Sequence, residues 1–245
     1  MNFSFVHVSF ATFLLAVLPS CKTLPVQPPE YAAWKAAHTA FRNTESWKKN
    51  SYVNETVVAK LRPDSTSLRI NLYEQRGQLL HDKIHTAIDF PISSGRRSFP
   101  TKPGSYTVID KKISHSSNLY GKHVDATTGD VLNSDVDTSV DPLPENARYV
   151  GSPMPYFLRL TNSGLGLHIG KLPGYPASHG CVRVPRKIMP RVYELVPKGT
   201  PVDILKDKPA EEIAADAVAT NAGTATKAKT REKPLPPISA ATQKS

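Results

Sequence analysis

Leu68-Arg69-Ile70-Asn71-Leu72-Tyr73-Glu74-Gln75-Arg76-Gly77-Gln78-Leu79-Leu80 opens with apolar and polar residues alternating at a period of two. Successive side chains of an extended strand point to opposite faces, so this period puts Leu68, Ile70 and Leu72 on one side. Gln75-Arg76-Gly77-Gln78 then offers a hairpin turn before Leu79 and Leu80. The segment is expected to form a β-hairpin with one buried face.

Outward from this hairpin, short stretches rich in β-branched and aromatic residues recur at 84–92, 106–109, 156–160, 165–169 and 202–205. Their spacing is too short for βαβ crossovers, which need a helix between strands. Residues 186–196 alone within this region read as helical, with Ile188, Val192 and Leu195 on one face. Pro190 must lie in the first turn of that helix or kink it, since deeper placement clashes with a preceding carbonyl. The expectation is a mainly β domain over 55–205, a sandwich or barrel with one short packed helix. Residues 115–151 are long, polar and Asp-rich, which suggests a binding loop or lid. Asp125, Asp130, Asp135, Asp137 and Asp141 fit no EF-hand register, so no metal is expected there.

The ends of the chain differ from its middle. Only 39% of residues are hydrophobic, low enough that part of the chain is not expected to pack. Residues 3–18 are an apolar run with the length of a signal h-region, short for a membrane span. Leu18-Pro19-Ser20-Cys21 follows and resembles a bacterial lipobox, which makes residues 1–21 a signal peptide and Cys21 a candidate for lipidation. Residues 22–54 read as a linker with a short helix around 31–41, where Tyr31, Trp34, Ala37 and Phe41 fall at helical spacing. Residues 206–245 are Ala, Thr, Lys, Glu and Pro with few large apolar groups, and are expected to be disordered. The formal charge of +10 favours an anionic partner such as wall polymer or a membrane surface. Nucleic acid is not expected, because the Lys and Arg residues are scattered and lack interleaved stacking aromatics.

The chemistry concentrates in residues 166–183, a strand ending in His168, a loop rich in Gly and Pro, and then Ser178-His179-Gly180-Cys181-Val182-Arg183. A thiol with a nearby imidazole is what nucleophilic catalysis needs, since the thiolate attacks while the imidazole takes and returns the proton. The loop can fold back to bring His168 to Cys181. His179, two positions from Cys181, competes for the role of base. Gly180 would let the backbone approach a substrate and offer N–H groups to an oxyanion. Arg183 could hold a carboxylate in bidentate fashion. A zinc site would need further ligands, and outside this segment the chain offers only Cys21 and scattered histidines.

These residues closely resemble the signature of the L,D-transpeptidases of the YkuD-like family. Upstream, Phe90-Pro91-Ile92-Ser93-Ser94-Gly95 and Thr101-Lys102-Pro103-Gly104-Ser105-Tyr106 are similar to the family's strand–turn segment, although Lys102 stands where proline is usual. The resemblance implies that Cys181 attacks the diaminopimelate carbonyl of a donor tetrapeptide stem of peptidoglycan. D-alanine leaves, and an amine acceptor, a second stem or a protein lysine, resolves the thioester. It implies His168 as base, the Ile169 carbonyl as the group orienting its ring, and His179 as a second site histidine. Gly180 helps form the oxyanion site, and Arg183, Ser178 and Tyr175 lie on the substrate side. No cofactor is implied. The location is the cell envelope, with attachment to the membrane through the signal or a lipid anchor. Two other readings stay open, an L,D-carboxypeptidase in which water replaces the amine, and a non-catalytic wall-binding lipoprotein.

Overall fold

In a computed structural model that describes residues 28–207, the chain begins with α1 (Pro29–Arg42), β1 (Tyr52–Val53) and the single turn α2 (Glu55–Val58). The hairpin follows as β2 (Thr66–Asn71) and β3 (Arg76–His81), then β4 (His85–Pro91), β5 (Gly104–Thr107) and β6 (Asp110–Lys112). Next come β7 (Ser116–Asp125), β8 (Val131–Asp137), β9 (Ala147–Pro153), β10 (Phe157–Arg159), β11 (Gly166–Ile169) and β12 (Val182–Val184). Helix α3 (Met189–Leu195) and β13 (Pro201–Leu205) close the described region. The mainly β expectation holds. The signal and lipidation site at Cys21, and all but the first two residues of the C-terminal tail, lie outside the described residues.

The strands form a six-stranded sheet in the order β1-β4-β3-β2-β13-β5, a four-stranded sheet β12-β11-β10-β6, and a three-stranded sheet β8-β7-β9. Leu68, Ile70, Leu79, Ile88, Phe90, Val202 and Ile204 of the first sheet share one core with Leu158, Leu167, Val182 and Val184 of the second. Met189 and Val192 of α3 join it. Each fully buried aliphatic side chain contributes about 2 kcal/mol, so the facing of these sheets is the main stabilising term.

Three local features depart from the sequence expectations. The hairpin turn falls at residues 72–75, three positions early, and Arg76, Gly77 and Gln78 belong to β3. Asn71 sets it: its Oδ1 accepts the N–H groups of Tyr73 and Glu74, both at 3.0 Å, and Gln75 completes the reversal at φ 55°. The helix expected over 186–196 starts only at Met189, with Pro190 in its first turn, where its missing N–H costs nothing. The segment 115–151 is largely strand, because β7, β8 and β9 pair into the third sheet. Its aspartates form turns within that sheet: Asp125 Oδ1 accepts from Thr127 and Thr128, and Asp137 Oδ1 from Ser139.

The stretch read as a linker contributes to the fold. β1 extends the first sheet by pairing with β4, and α1 lies against β4, burying Trp34. Beneath α1, Asp89 is fully buried and meets Arg76 (Nε 2.7 Å, Nη2 2.6 Å) and His38 Nε2 (2.8 Å). Arg76 also donates to the carbonyls of Trp47 and Asn50, fastening the turn after α1. Pairing the two charges with each other and with these neighbours is what permits their burial. Among the described residues, no helix is long and apolar enough to cross a membrane.

Candidate active site

The register of the second sheet brings the sequence-selected residues together. β11 and β12 run parallel, pairing Leu167 with Val182, His168 with Arg183 and Ile169 with Val184. Leu167, Ile169, Val182 and Val184 point into the core. By alternation, His168 and Arg183 point to the opposite face, as does Cys181, one step before β12. On that face lies a cavity of about 480 Å³ lined by His168, His179, Gly180, Cys181 and Arg183, among others.

His168 is 8% exposed, and its Nδ1 lies 2.9 Å from the carbonyl oxygen of Ile169. With Nδ1–H donating to that carbonyl, Nε2 carries the lone pair. Burial pushes the imidazole down to about 4, despite the opposing pull of the Ile169 carbonyl, so the ring is neutral at ordinary pH. Cys181 Sγ donates to the carbonyl of Gly164 at 3.3 Å. Burial pushes the thiol up, and the backbone N–H of Gly166, Arg159 and Arg183 oppose that push. The resting site thus holds a neutral thiol and a neutral imidazole.

The loop carrying the thiol is braced from β4 and the turn after it. Ser93 and Arg183 exchange backbone hydrogen bonds, and the Ser94 carbonyl accepts from both Ala177 and Ser178. Thr101 Oγ1 donates to the Gly180 carbonyl at 2.6 Å and accepts from Gly95 N–H. Gly180 itself stands at φ 111°, where any side chain would be strained. Its N–H donates to Ser178 Oγ at 3.1 Å, and Ser178 Oγ in turn donates to the Cys181 carbonyl. Ser178 lines the cavity, and its hydroxyl is engaged within the loop, where it acts as a buried strut. Tyr175 is 62% exposed and does not line the cavity; its carbonyl accepts from Ser93 Oγ.

His179 occupies a different setting from His168. Its ring stacks on Tyr120 of β7 with centroids 4.5 Å apart and leans on Phe99 at 4.8 Å. Nε2 lies 2.8 Å from Arg96 Nη2 and 3.0 Å from Asp135 Oδ1 of β8, while Arg96 also meets Asp135 at 3.1 Å. Burial and Arg96 hold its pKa down against Asp135. His179 thus ties the Cys181 loop to the third sheet, with its Nε2 already occupied. Arg96, Phe99, Tyr120 and Asp135 were missed in the sequence because only tertiary contact joins them to the signature. The long polar segment 115–151 was the available hint, and it covers only Tyr120 and Asp135.

The sequence model of the L,D-transpeptidase catalytic domain (YkuD) matches residues 65–204, more than half of the chain. The chain belongs to the L,D-transpeptidase family. It is 33% identical over 131 residues to the probable L,D-transpeptidase 3 of Mycobacterium tuberculosis, covering 50% of this chain and 41% of that protein. Among solved structures, it is similar to an L,D-transpeptidase from Mycobacterium smegmatis (TM-score 0.43, 17% identity, 57% of this chain and 58% of the other). It is also similar to an L,D-transpeptidase from Xylanimonas cellulosilytica (TM-score 0.42, 21% identity, 57% and 60%). The chain thus spans less than two thirds of each of these relatives.

Proposed function

We propose that the protein is a peptidoglycan L,D-transpeptidase in which Cys181 is the nucleophile and His168 the base. The observation that carries this reading is the placement of both residues on one sheet face, with His168 Nδ1 tied to the Ile169 carbonyl and its ring neutral. In the reaction, the Cys181 thiol turns from the Gly164 carbonyl and passes its proton to His168 Nε2. Sγ then bonds to the diaminopimelate carbonyl carbon of a tetrapeptide stem. The C–N bond to D-alanine breaks as His168 returns the proton to the leaving amine. An acceptor amine attacks the thioester, loses its proton to His168, and regenerates the thiol. The occupied Nε2 of His179 favours His168 as the base and leaves His179 a positioning role. Gly180, whose own N–H is engaged by Ser178, serves by its conformation, which aims the Cys181 N–H toward the developing oxyanion.

In this reading residues 55–205 are the catalytic domain, residues 1–21 direct export to the cell envelope, and Cys21 is the site of a lipid anchor. Purified protein incubated with a disaccharide tetrapeptide and analysed by mass spectrometry tests the activity. Loss of D-alanine with formation of cross-linked dimers is expected. Loss of D-alanine without dimers would replace transfer by hydrolysis, and no loss would contradict the reading.

A further inference from the structure

The second sheet sets Arg159 across from the thiol. Antiparallel pairing opposes Arg159 of β10 to Gly166 of β11, and continuing the β11–β12 ladder one step below Leu167–Val182 sets Cys181 beside Gly166. Arg159, Gly166 and Cys181 therefore form one row across three strands, with side chains directed to one face. Two strand spacings put the outer backbones roughly 10 Å apart. Gly166 has no side chain to stand between them, and a Cβ there would lie 2.4 Å from the Phe157 ring. In the next row, His168 is paired with Arg183. Both arginines line the cavity that holds Cys181.

Neither arginine has a carboxylate partner among the described residues. The Arg159 guanidinium sits over the Phe157 ring at 5.2 Å. Asp110, the one carboxylate in its row, is held by Lys198 at 2.9 Å. No Asp or Glu occurs among the described residues lining the cavity, whereas Lys102 and His115 add to its basic character. Half-buried, unpaired guanidinium groups lose hydration and regain it best by a charge-assisted, forked contact with a carboxylate.

We propose that Arg159 and Arg183 jointly bind a free carboxylate of the acyl donor beside the bond cleaved by Cys181, and so select carboxylate-bearing donors over their amides. The selection rests on the transpeptidase reading above. Two carboxylates of such a stem belong to the residues flanking that bond, the terminal carboxylate of the departing residue and the free carboxylate of diaminopimelate. Arg159 is the specificity-determining residue, because among the described residues its guanidinium rests on an aromatic face, has no carboxylate partner and belongs to the lining of the cleft.

The test uses the full chain and three donors: the tetrapeptide with both flanking carboxylates free, its C-terminal amide, and its diaminopimelate amide. Wild-type kcat/KM is expected to fall by about 10- to 100-fold for the donor lacking the bound carboxylate, as for loss of a charged hydrogen-bonding pair. Whichever amide is disfavoured identifies the source. In Arg159→Gln that ratio should shrink by about tenfold or more, with Arg159→Lys intermediate because it keeps the charge without the fork. Alkylation of Cys181 by neutral iodoacetamide reports thiol reactivity separately. If Arg159→Gln slows alkylation and all three donors by one common factor, the arginine acts only on the thiol and the proposal is overturned. Equal wild-type turnover of all three donors overturns it too, while leaving the transpeptidase reading intact. No turnover of any donor, with no acylation of Cys181, would overturn both.

Discussion

At the scale of single residues, the neutral state of His168 is the property with the clearest consequences. Its pKa is pushed by burial from the ordinary 6.5 to about 4. The unfolded chain therefore binds a proton at this residue that the folded chain refuses between those values. Its contribution to stability is complete above about pH 6.5, falls as pH drops toward 4, and is gone below. The size is about 3 kcal/mol. In urea unfolding, His168→Gln is expected to flatten the loss of stability between pH 6.5 and 4.5 relative to wild type. An unchanged pH slope would contradict the assigned burial. The choice between His168 and His179 was illegible in the sequence for a physical reason: both sit near Cys181 along the chain. Their settings differ in that Arg96 and Asp135, brought from other elements, meet His179. Arg159 was invisible for a similar reason, since a polar residue on an alternating strand reads as a solvated position.

At the scale of elements, the thiol-bearing loop takes its shape from the first hairpin. The Gln75 side chain, in the β2–β3 turn, accepts the Ser94 N–H at 2.9 Å and donates to Ser94 Oγ at 2.8 Å and the Leu72 carbonyl at 2.7 Å. Ser94 in turn receives the N–H groups of Ala177 and Ser178 on its carbonyl, and Ser178 lies three residues before Cys181. Gln75→Ala removes three hydrogen bonds and leaves Ser94 groups unpaired, at a cost of about 1–3 kcal/mol. Because the loop rather than the substrate contacts is loosened, kcat for D-alanine release is expected to fall about tenfold with little change in KM. A raised KM at constant kcat would show that Gln75 acts through binding instead. The hairpin was legible from its period of two, but its turn was set three residues late. Asn71, a turn former whose side chain bonds two and three residues on, was read as an ordinary strand residue. The segment 115–151 was likewise legible as an insertion and not as a sheet. β8 is exposed along most of its length, so no alternating apolar pattern marks it.

At the scale of the molecule, the mainly β architecture was readable because the core strands of both sheets carry short β-branched and aromatic runs. Pairings between distant segments were not. β13 joins β2 in parallel, and β11 joins β12 in parallel through a loop without a helix. The second of these pairings makes the site, since it alone puts Cys181, His168 and Arg183 on one face. α1 and β1, which sequence placed in a linker, add a buried ionic cluster around Asp89 on the far side of the first sheet. The whole fold thus presents one thiol to one cleft, and Cys181 is the free cysteine of the described residues. Acylation of that thiol is the most direct probe of the central claim. A carbapenem resembles the acyl donor, so intact-mass analysis of the wild type should show one covalent adduct, mapped to Cys181 and absent from Cys181→Ala. A wild type that forms no adduct, or a Cys181→Ala variant that still does, would contradict it.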